Sequence, residues 1–510
     1  MNLIDKAARD GILTDNGNIM VSASAGSGKT TIMVKKMAIE LEKINDHRTI
    51  AAVTFTVKAT KEIRRKASEQ VNKPFVVMTN DSFIEHEIIR PFIKDAISVD
   101  YDGSYTIEYG NNYKFQDFEV GLEQLKVDKI LGSFRDIKKN FNFKLALKVL
   151  ESSIAAQEYI KFKYASIFID EYQDSDEDMH RFFMYLKNKL NINLFIVGDS
   201  KQAIYLWRGA KEDIFQLLAK ENFKRYELVK NFRCHKEIEN FANIFHNPKY
   251  YQNVNSDVKN VIIKEYSCNG RWNFVGFVDE FEDLIDQSKL DIKKEITIIA
   301  NINNDARKIA ELLNQAGYDF VFIPKTPIED GLPNSGLLWE LALFTKNPVY
   351  SIYDFIEKTG IDERSQTRNE VYKIIKELEN NDQLSQGLVS KILSSLATFL
   401  GITISIDEVL KFFKSINEDE FKMAFQINEK KHKVMTVFAS KGLEFDQVIS
   451  FSRYYEIQSN KNKQNHYVCI TRAKEKFIMF NDNTDYFNYL QEVAKQENIT
   501  DIKKLIEYKL

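Results

Sequence analysis

Residues Ala23 to Thr31, ASAGSGKTT, are the stretch on which the fold turns. They follow the apolar run Asn18 to Ser22 and open a helical stretch reaching about Lys43, after which Thr49 to Phe55 reads as a second strand. Strand, glycine loop, helix and strand in that order predict a βαβ unit. A phosphate-binding loop requires this context. Gly26 and Gly28 let backbone N–H groups approach an anion, Lys29 can reach the β and γ oxygens, and the Thr30 hydroxyl can ligate Mg²⁺. Ala23 stands where the general pattern has glycine.

Working outward, IFIDEYQD (Ile167 to Asp174) ends an apolar run in two adjacent carboxylates. At a strand tip beside a phosphate loop, Asp170 is placed to hold Mg²⁺ through water and Glu171 to orient or deprotonate an attacking water. FIVGDSKQAIYLWRGA (Phe195 to Ala210) is another apolar run ending in a polar, aromatic-rich loop. Phe75 to Met78, Ser166 to Ile169 and Leu194 to Val197 are the further strand candidates of a first α/β domain. Ile296 to Ala300, Phe320 to Ile323, Val434 to Phe438, Gln447 to Ser450 and Phe477 to Phe480 form a second set. Parallel strands with chemistry at their C-terminal ends are expected in both. The expected division is a first domain over 1–91 and 155–225 and a second over 226–329 and 431–510. Each carries a reduced, mostly helical insertion, 92–154 and 330–430.

The composition agrees with two large domains, since 510 residues exceed what one core normally serves. A net charge of −3 excludes a globally basic nucleic-acid binder, so DNA affinity must come from a local groove. Three separated cysteines, Cys234, Cys268 and Cys469, argue against a disulfide framework or zinc site and for a reducing, cytoplasmic compartment. No run is long and apolar enough to suggest a signal peptide or membrane span, so a soluble chain without membrane partners is expected.

Taken with TFTVKATKEI (Thr54 to Ile63), LVKNFRCHKEIENFAN (Leu228 to Asn243), VFASKGLEF (Val437 to Phe445) and HYVCITRAKEK (His466 to Lys476), these segments resemble, in order, the motifs of UvrD/Rep/PcrA-type superfamily 1 helicases. The resemblance implies two RecA-like P-loop NTPase domains and a DNA-dependent ATPase with 3′ to 5′ polarity, using Mg²⁺ and ATP or another NTP or dNTP. Ala23, Ser24, Ala25, Gly26, Ser27, Gly28, Lys29, Thr30 and Thr31 would bind nucleotide. Gln202 would sense the γ-phosphate, Arg233 and Arg472 would be arginine fingers, Glu444 would contact the sugar, and Phe232 would stack on the base. Tyr205, Trp207 and Phe55 match the aromatics on which the family stacks single-stranded bases, with Arg208 beside them. Two basic runs are candidates for tracking phosphates. One is the helix after Phe55, where Lys58, Lys61 and Arg65 share a face; the other is DIKKNFNFK (Asp136 to Lys144).

The chain departs from that family at several points. No glutamine precedes the phosphate loop to read adenine, TNDSF (Thr79 to Phe83) replaces an aromatic and a histidine, and Val57 replaces an asparagine. Phe438 stands where a histidine links the nucleotide and DNA sites, Asn301 replaces an arginine, and a duplex-contacting Gly-Ile-Gly is reduced to Gly360-Ile361. These reductions, with TNDSFIEHEIIRPFIKDA, KKNFNFKLAL and IFIDEYQDSDEDMHRFFMYLK, resemble the helicase-like subunits of the Gabija anti-phage defence system. That implies a partner, the Gabija nuclease GajA, with an ATPase-like and a Toprim domain, in a hetero-oligomer. Helical surface over about Pro91 to Ile154 is the candidate docking face. Two alternatives stand beside it: a stand-alone 3′ to 5′ repair or replication helicase, and a DNA-end-sensing NTPase with little unwinding.

Overall fold

The computed structural model describes residues 4–98, 100–108, 113–252, 259–266, 274–329, 332, 334–361, 364–379, 381, 384–422, 424–425, 432–457, 462–499 and 501–509. The side chains of Val57 and Lys58, and Cys268, lie outside the described residues, so the DNA-contact reading of Lys58 does too.

Six parallel strands make the first sheet: β1 (Ile19–Ala23), β2 (Thr49–Thr54), β3 (Val76–Thr79), β4 (Tyr164–Ile169), β5 (Asn193–Gly198) and β6 (Lys224–Leu228), in the order β6-β1-β5-β4-β2-β3. Its two faces are both buried, as a parallel sheet requires. Ile19, Val21, Ala52 and Phe168 point into one core with the helices that follow β1 and β2. Met20, Val53, Ile167 and Ile169 point into the other, as period-two alternation demands. The second sheet has seven parallel strands: β7 (Val261–Glu265), β8 (Ile296–Ala300), β9 (Phe320–Ile323), β10 (His432–Thr436), β11 (Phe445–Phe451), β12 (Ala473–Asn481) and β13 (Glu507–Lys509), in the order β9-β10-β8-β11-β12-β7-β13. This is the α/β class that the sequence predicts.

Two departures from the expected elements have physical causes. β6 pairs in parallel with β1, so the chain leaves the first sheet after Leu228 and not at 225. Its sequence KRYEL is mostly exposed on the sheet edge, and that polarity hides it from a hydrophobic pattern. The expected strand over Val434 to Phe438 stops at Thr436, whose hydroxyl accepts the Ala439 N–H and starts a short helix, Val437–Ser440. Phe438 is thereby turned out of the sheet.

The two insertions differ in kind. The first includes two short parallel ladders, Thr106–Ile107 with Ile130–Leu131 and Lys114–Phe115 with Ser133–Phe134. It packs into the first domain's own core through Ile93, Phe118, Leu125 and Phe141. The described residues of the second insertion, between Leu332 and Phe425, instead build a separate helical core around Leu338, Phe344, Val389 and Phe412.

Candidate nucleotide and DNA site

The phosphate loop leaves β1 and enters the helix Lys29–Lys43 through Gly28, whose φ of 83° serves as its N-cap. The Ala23 side chain is buried at the strand end, Thr30 is half-buried and Thr31 is exposed. Gly26, φ 68°, must be glycine on two counts. A Cβ there would lie 2.6 Å from Asn231 Oδ1 and 2.8 Å from Arg233 Cβ, both on the segment that follows β6. Among the described residues the buried Lys29 Nζ and Ser27 Oγ have no hydrogen-bond partner, and Lys29 Nζ stands 3.6 Å from Glu171 Oε1. A buried ammonium without an acceptor is costly unless an anion joins it. The loop therefore fits a triphosphate.

Beyond β4, Asp170 Oδ1 accepts the Glu171 N–H at 2.9 Å, and Glu171 has a left-handed backbone, φ 53°. Such strain in a non-glycine residue is characteristic of functional sites. Burial, then the Glu171 charge, raises the pKa of Asp170. Burial acts on Glu171 as well, but Lys29 and then Lys441 hold its carboxyl below the ordinary range. Buried Asp170 and half-buried Glu171 stand side by side near Lys29, oxygen donors of the kind that a hard dication such as Mg²⁺ takes.

The second domain closes over this loop. Phe232 N–H donates to Gly26 O at 2.8 Å, and Ala25 N–H donates to Tyr467 Oη at 3.2 Å. Ser24 Oγ accepts from Lys201 Nζ at 3.3 Å. Arg472 is 1% exposed. It donates to Val468 O, Leu443 O and, at 3.3 Å, Gln202 Oε1, while Gln202 Nε2 donates to Asp199 Oδ2 at 2.8 Å. Burial, then the Arg233 charge, lowers Arg472 to about 10, so it stays a cation at neutral pH. Arg233 Nε donates to Glu444 Oε2 at 2.8 Å and its Nη1 to Thr471 O at 3.3 Å. The structure thus brings Lys29, Asp170, Glu171, Gln202, Arg233, Arg472, Glu444 and Phe232 to one cleft. Sequence reading did not assign Lys441. It pairs with the buried Asp174, donates to Gln202 O at 3.3 Å, and lies 4.8 Å over the Tyr205 ring.

Of the DNA candidates, Trp207 is 51% exposed with the Arg208 guanidinium 5.7 Å over its ring. Tyr205 is half-buried between Lys441, Lys325 and Phe438, and Phe438 also meets Trp207 edge-on at 6.3 Å. Phe55 packs partly into the first core. The basic runs fare differently from expectation. Lys61 forms an ion pair with Glu340 of the second insertion, Arg64 donates to Val77 O, and Arg65 and Lys66 pair with Glu69 and Glu62. Lys61, Arg65 and Lys66 thus face carboxylates and Arg64 a backbone carbonyl within the fold. In DIKKNFNFK, Phe141 and Phe143 are core residues, packed on Phe134 and Phe182, and offer no stacking platform. The backbone of Lys138 rests on Gly209, which brings this loop beside Trp207. In the candidate docking segment, Pro91 to Ile154, Ile93 is fully buried, so that position is core.

Residues 6–208 match the AAA domain family and residues 339–483 the UvrD-like helicase C-terminal domain. The chain is 42% identical to Gabija protein GajB of Bacillus cereus (strain VD045), covering 98% of this chain and 100% of that protein. It is 24% identical to a probable DNA helicase II homolog of Mycoplasma capricolum, over 97% of this chain and 86% of the relative. It is 23% identical to the ATP-dependent DNA helicase PcrA of Staphylococcus epidermidis, over 93% and 83%. No helix among the described residues is long and apolar enough to cross a membrane.

Proposed function

Because this chain belongs to the GajB family of UvrD-like helicases, ATP-dependent enzymes of the DNA-helicase type, we propose that it hydrolyses nucleoside triphosphates on meeting DNA and reports each cycle to a partner nuclease, GajA, in the cytoplasm. The observation that carries this reading is the convergence of second-domain cations on the first domain's side of the cleft: Arg472 on Gln202, Lys441 on Asp174, and Arg233 over Gly26 of the phosphate loop. Charge spreads over the γ-phosphoryl oxygens as the bond to the leaving group breaks, and guanidinium forks match it. Thr30 and Asp170 would hold Mg²⁺, which would supply positive charge against the phosphoryl oxygens. Lys29 binds the same oxygens, Glu171 orients and deprotonates the attacking water, and Gln202 couples that water to Arg472. Trp207 and Tyr205 receive single-stranded bases, and Phe438 and Lys441 join them to the cleft.

Lys29→Ala is expected to abolish hydrolysis, and Glu171→Gln to bind nucleotide yet turn over at least about a hundredfold more slowly. Unchanged turnover in Glu171→Gln would show that the catalytic carboxylate lies elsewhere. For the partner, the chain is co-expressed with a Toprim nuclease encoded beside it and purified through one tag, and phage challenge is scored with intact and Lys29→Ala forms. Absence of co-purification, or full protection by Lys29→Ala, leaves a stand-alone helicase.

A further inference from the structure

In the first insertion, between the buried Phe134 and Phe141, whose ring centroids lie 5.3 Å apart, the chain makes a short excursion to the surface. On the way out, Arg135 N–H donates to Phe115 O at 2.8 Å. Lys139 N–H then donates to Asp136 O at 3.0 Å and Lys138 N–H to Asp136 Oδ1 at 3.0 Å, which closes a tight turn. On the return, Asn140 N–H donates to Asp178 Oδ2 at 3.0 Å and Asn140 Nδ2 to Asp176 Oδ2 at 3.1 Å, both carboxylates at the start of the helix Glu177–Asn188. The turn is therefore held at both ends. Its first corner is Ile137, 59% exposed, followed by the exposed Lys138 and Lys139. Such corners normally take Gly, Pro, Asn, Asp or Ser, so an isoleucine there is not explained by turn chemistry.

The turn also has a fixed neighbour. Gly209, φ 100°, packs so closely against it that a Cβ would run into Lys138 O and lie 2.7 Å from Lys138 Cα. Trp207 stands two residues before Gly209, so the backbones of Ile137 and Trp207 are on the order of 15 Å apart at most, about four nucleotide rises of roughly 3.4 Å. Resting on the reading of Trp207 as a base-stacking surface, we propose that this turn is a wedge: where the strand on Trp207 runs into duplex, Ile137 inserts against the terminal base pair and unstacks it. An apolar side chain in a base step replaces the stacking contact that it breaks and buries its own exposed surface. Lys138 and Lys139 hold the neighbouring phosphates. A wedge must not yield, and the anchors on Phe115, Asp176, Asp178 and Gly209 keep this one from yielding.

The test uses the full chain and two probes. One is a single strand running into a duplex whose terminal base pair carries 2-aminopurine, which brightens when it is unstacked; the other is the single strand alone, read by fluorescence anisotropy. The unmodified chain is expected to brighten the junction. Ile137→Ala should lose at least about fivefold of that brightening and bind the single strand within about twofold of the unmodified chain, because both lysines and Trp207 remain. Ile137→Leu, still an apolar wedge, should keep the brightening. Equal brightening by Ile137→Ala would overturn the proposal, and so would a dark junction with an unmodified chain that binds the single strand. A matching loss of single-strand affinity in Ile137→Ala would make Ile137 part of the single-strand track and overturn it too. If the unmodified chain bound no single strand, or Trp207→Ala bound it equally well, the stacking-surface reading would fall and the wedge with it.

Discussion

The two arginines of the cleft occupy different environments, and their removal should be read on different assays. Arg233 reaches Glu444, a half-exposed carboxylate, so the pair has little weight in stability. Arg233→Ala is expected to lower kcat by about 10³ while the thermal midpoint stays put; a normal kcat would remove Arg233 from the transition state. Arg472 is fully buried, and its loss strands the carbonyls of Leu443 and Val468 as well as Gln202 Oε1. Arg472→Ala should therefore lose both hydrolysis and stability, the latter by about 1–3 kcal/mol per stranded group, seen as a lower urea midpoint. Trp207→Ala should weaken single-stranded DNA by roughly 5- to 150-fold, the equivalent of about 1–3 kcal/mol, with basal hydrolysis intact. Loss of basal hydrolysis with DNA affinity retained would refute its role as a stacking surface.

At the scale of elements, the segment Val437–Leu443 between β10 and β11 joins the proposed nucleotide and DNA sites. Phe438 packs on both Tyr205 and Trp207, and Lys441 touches Tyr205, Asp174 and the Gln202 carbonyl. A cation in that position ties Gln202, proposed above as the γ-phosphate sensor, to Tyr205, proposed as part of the DNA platform. Lys441→Ala is expected to reduce DNA stimulation of hydrolysis several-fold more than it reduces the basal rate; an equal effect on both would make Lys441 merely structural. The helix Lys463–Ile470, which precedes Arg472, carries a pH signature of its own. His466 hydrogen-bonds His246 at 3.1 Å and Tyr486 at 2.8 Å, and burial lowers His466 to about 3 and His246 well below its usual value. Folded histidines that refuse protons stabilise the fold fully above the unfolded pKa near 6.5. Below it the unfolded chain takes up protons first, so this stability is lost as pH falls from about 6.5 towards 3, at up to about 1.4 kcal/mol per unit per histidine. The urea midpoint should fall between pH 7 and 5, and His466→Gln should flatten that slope; an unchanged slope would place the titration elsewhere.

For the whole molecule, the cleft is built by closure of two domains that share few covalent links but many cross-contacts. Ala25 with Tyr467, Gly26 with Phe232, Gln202 with Arg472 and Asp174 with Lys441 span it. The second insertion also reaches the first domain, through Glu340 on Lys61. Hydrolysis that moves one domain against the other would thus move that helical body too, a route by which a bound partner could sense the cycle.

The phosphate loop, the Asp170-Glu171 pair and most sheet strands were legible in the sequence, because each is local: glycines at positive φ, carboxylates at a strand end, and apolar runs of strand length. The polar edge strand β6 was not, since an edge need not be apolar to pair. Nor could the sequence tell that Phe141 and Phe143 are core while Trp207 is exposed, as aromatic composition is the same in both roles and only packing separates them. Lys441 carried no local signal at all. Its meaning depends on what stands opposite across the cleft, Asp174 and Tyr205, partners distant in the chain that only the closed tertiary structure brings within hydrogen-bonding and stacking distance.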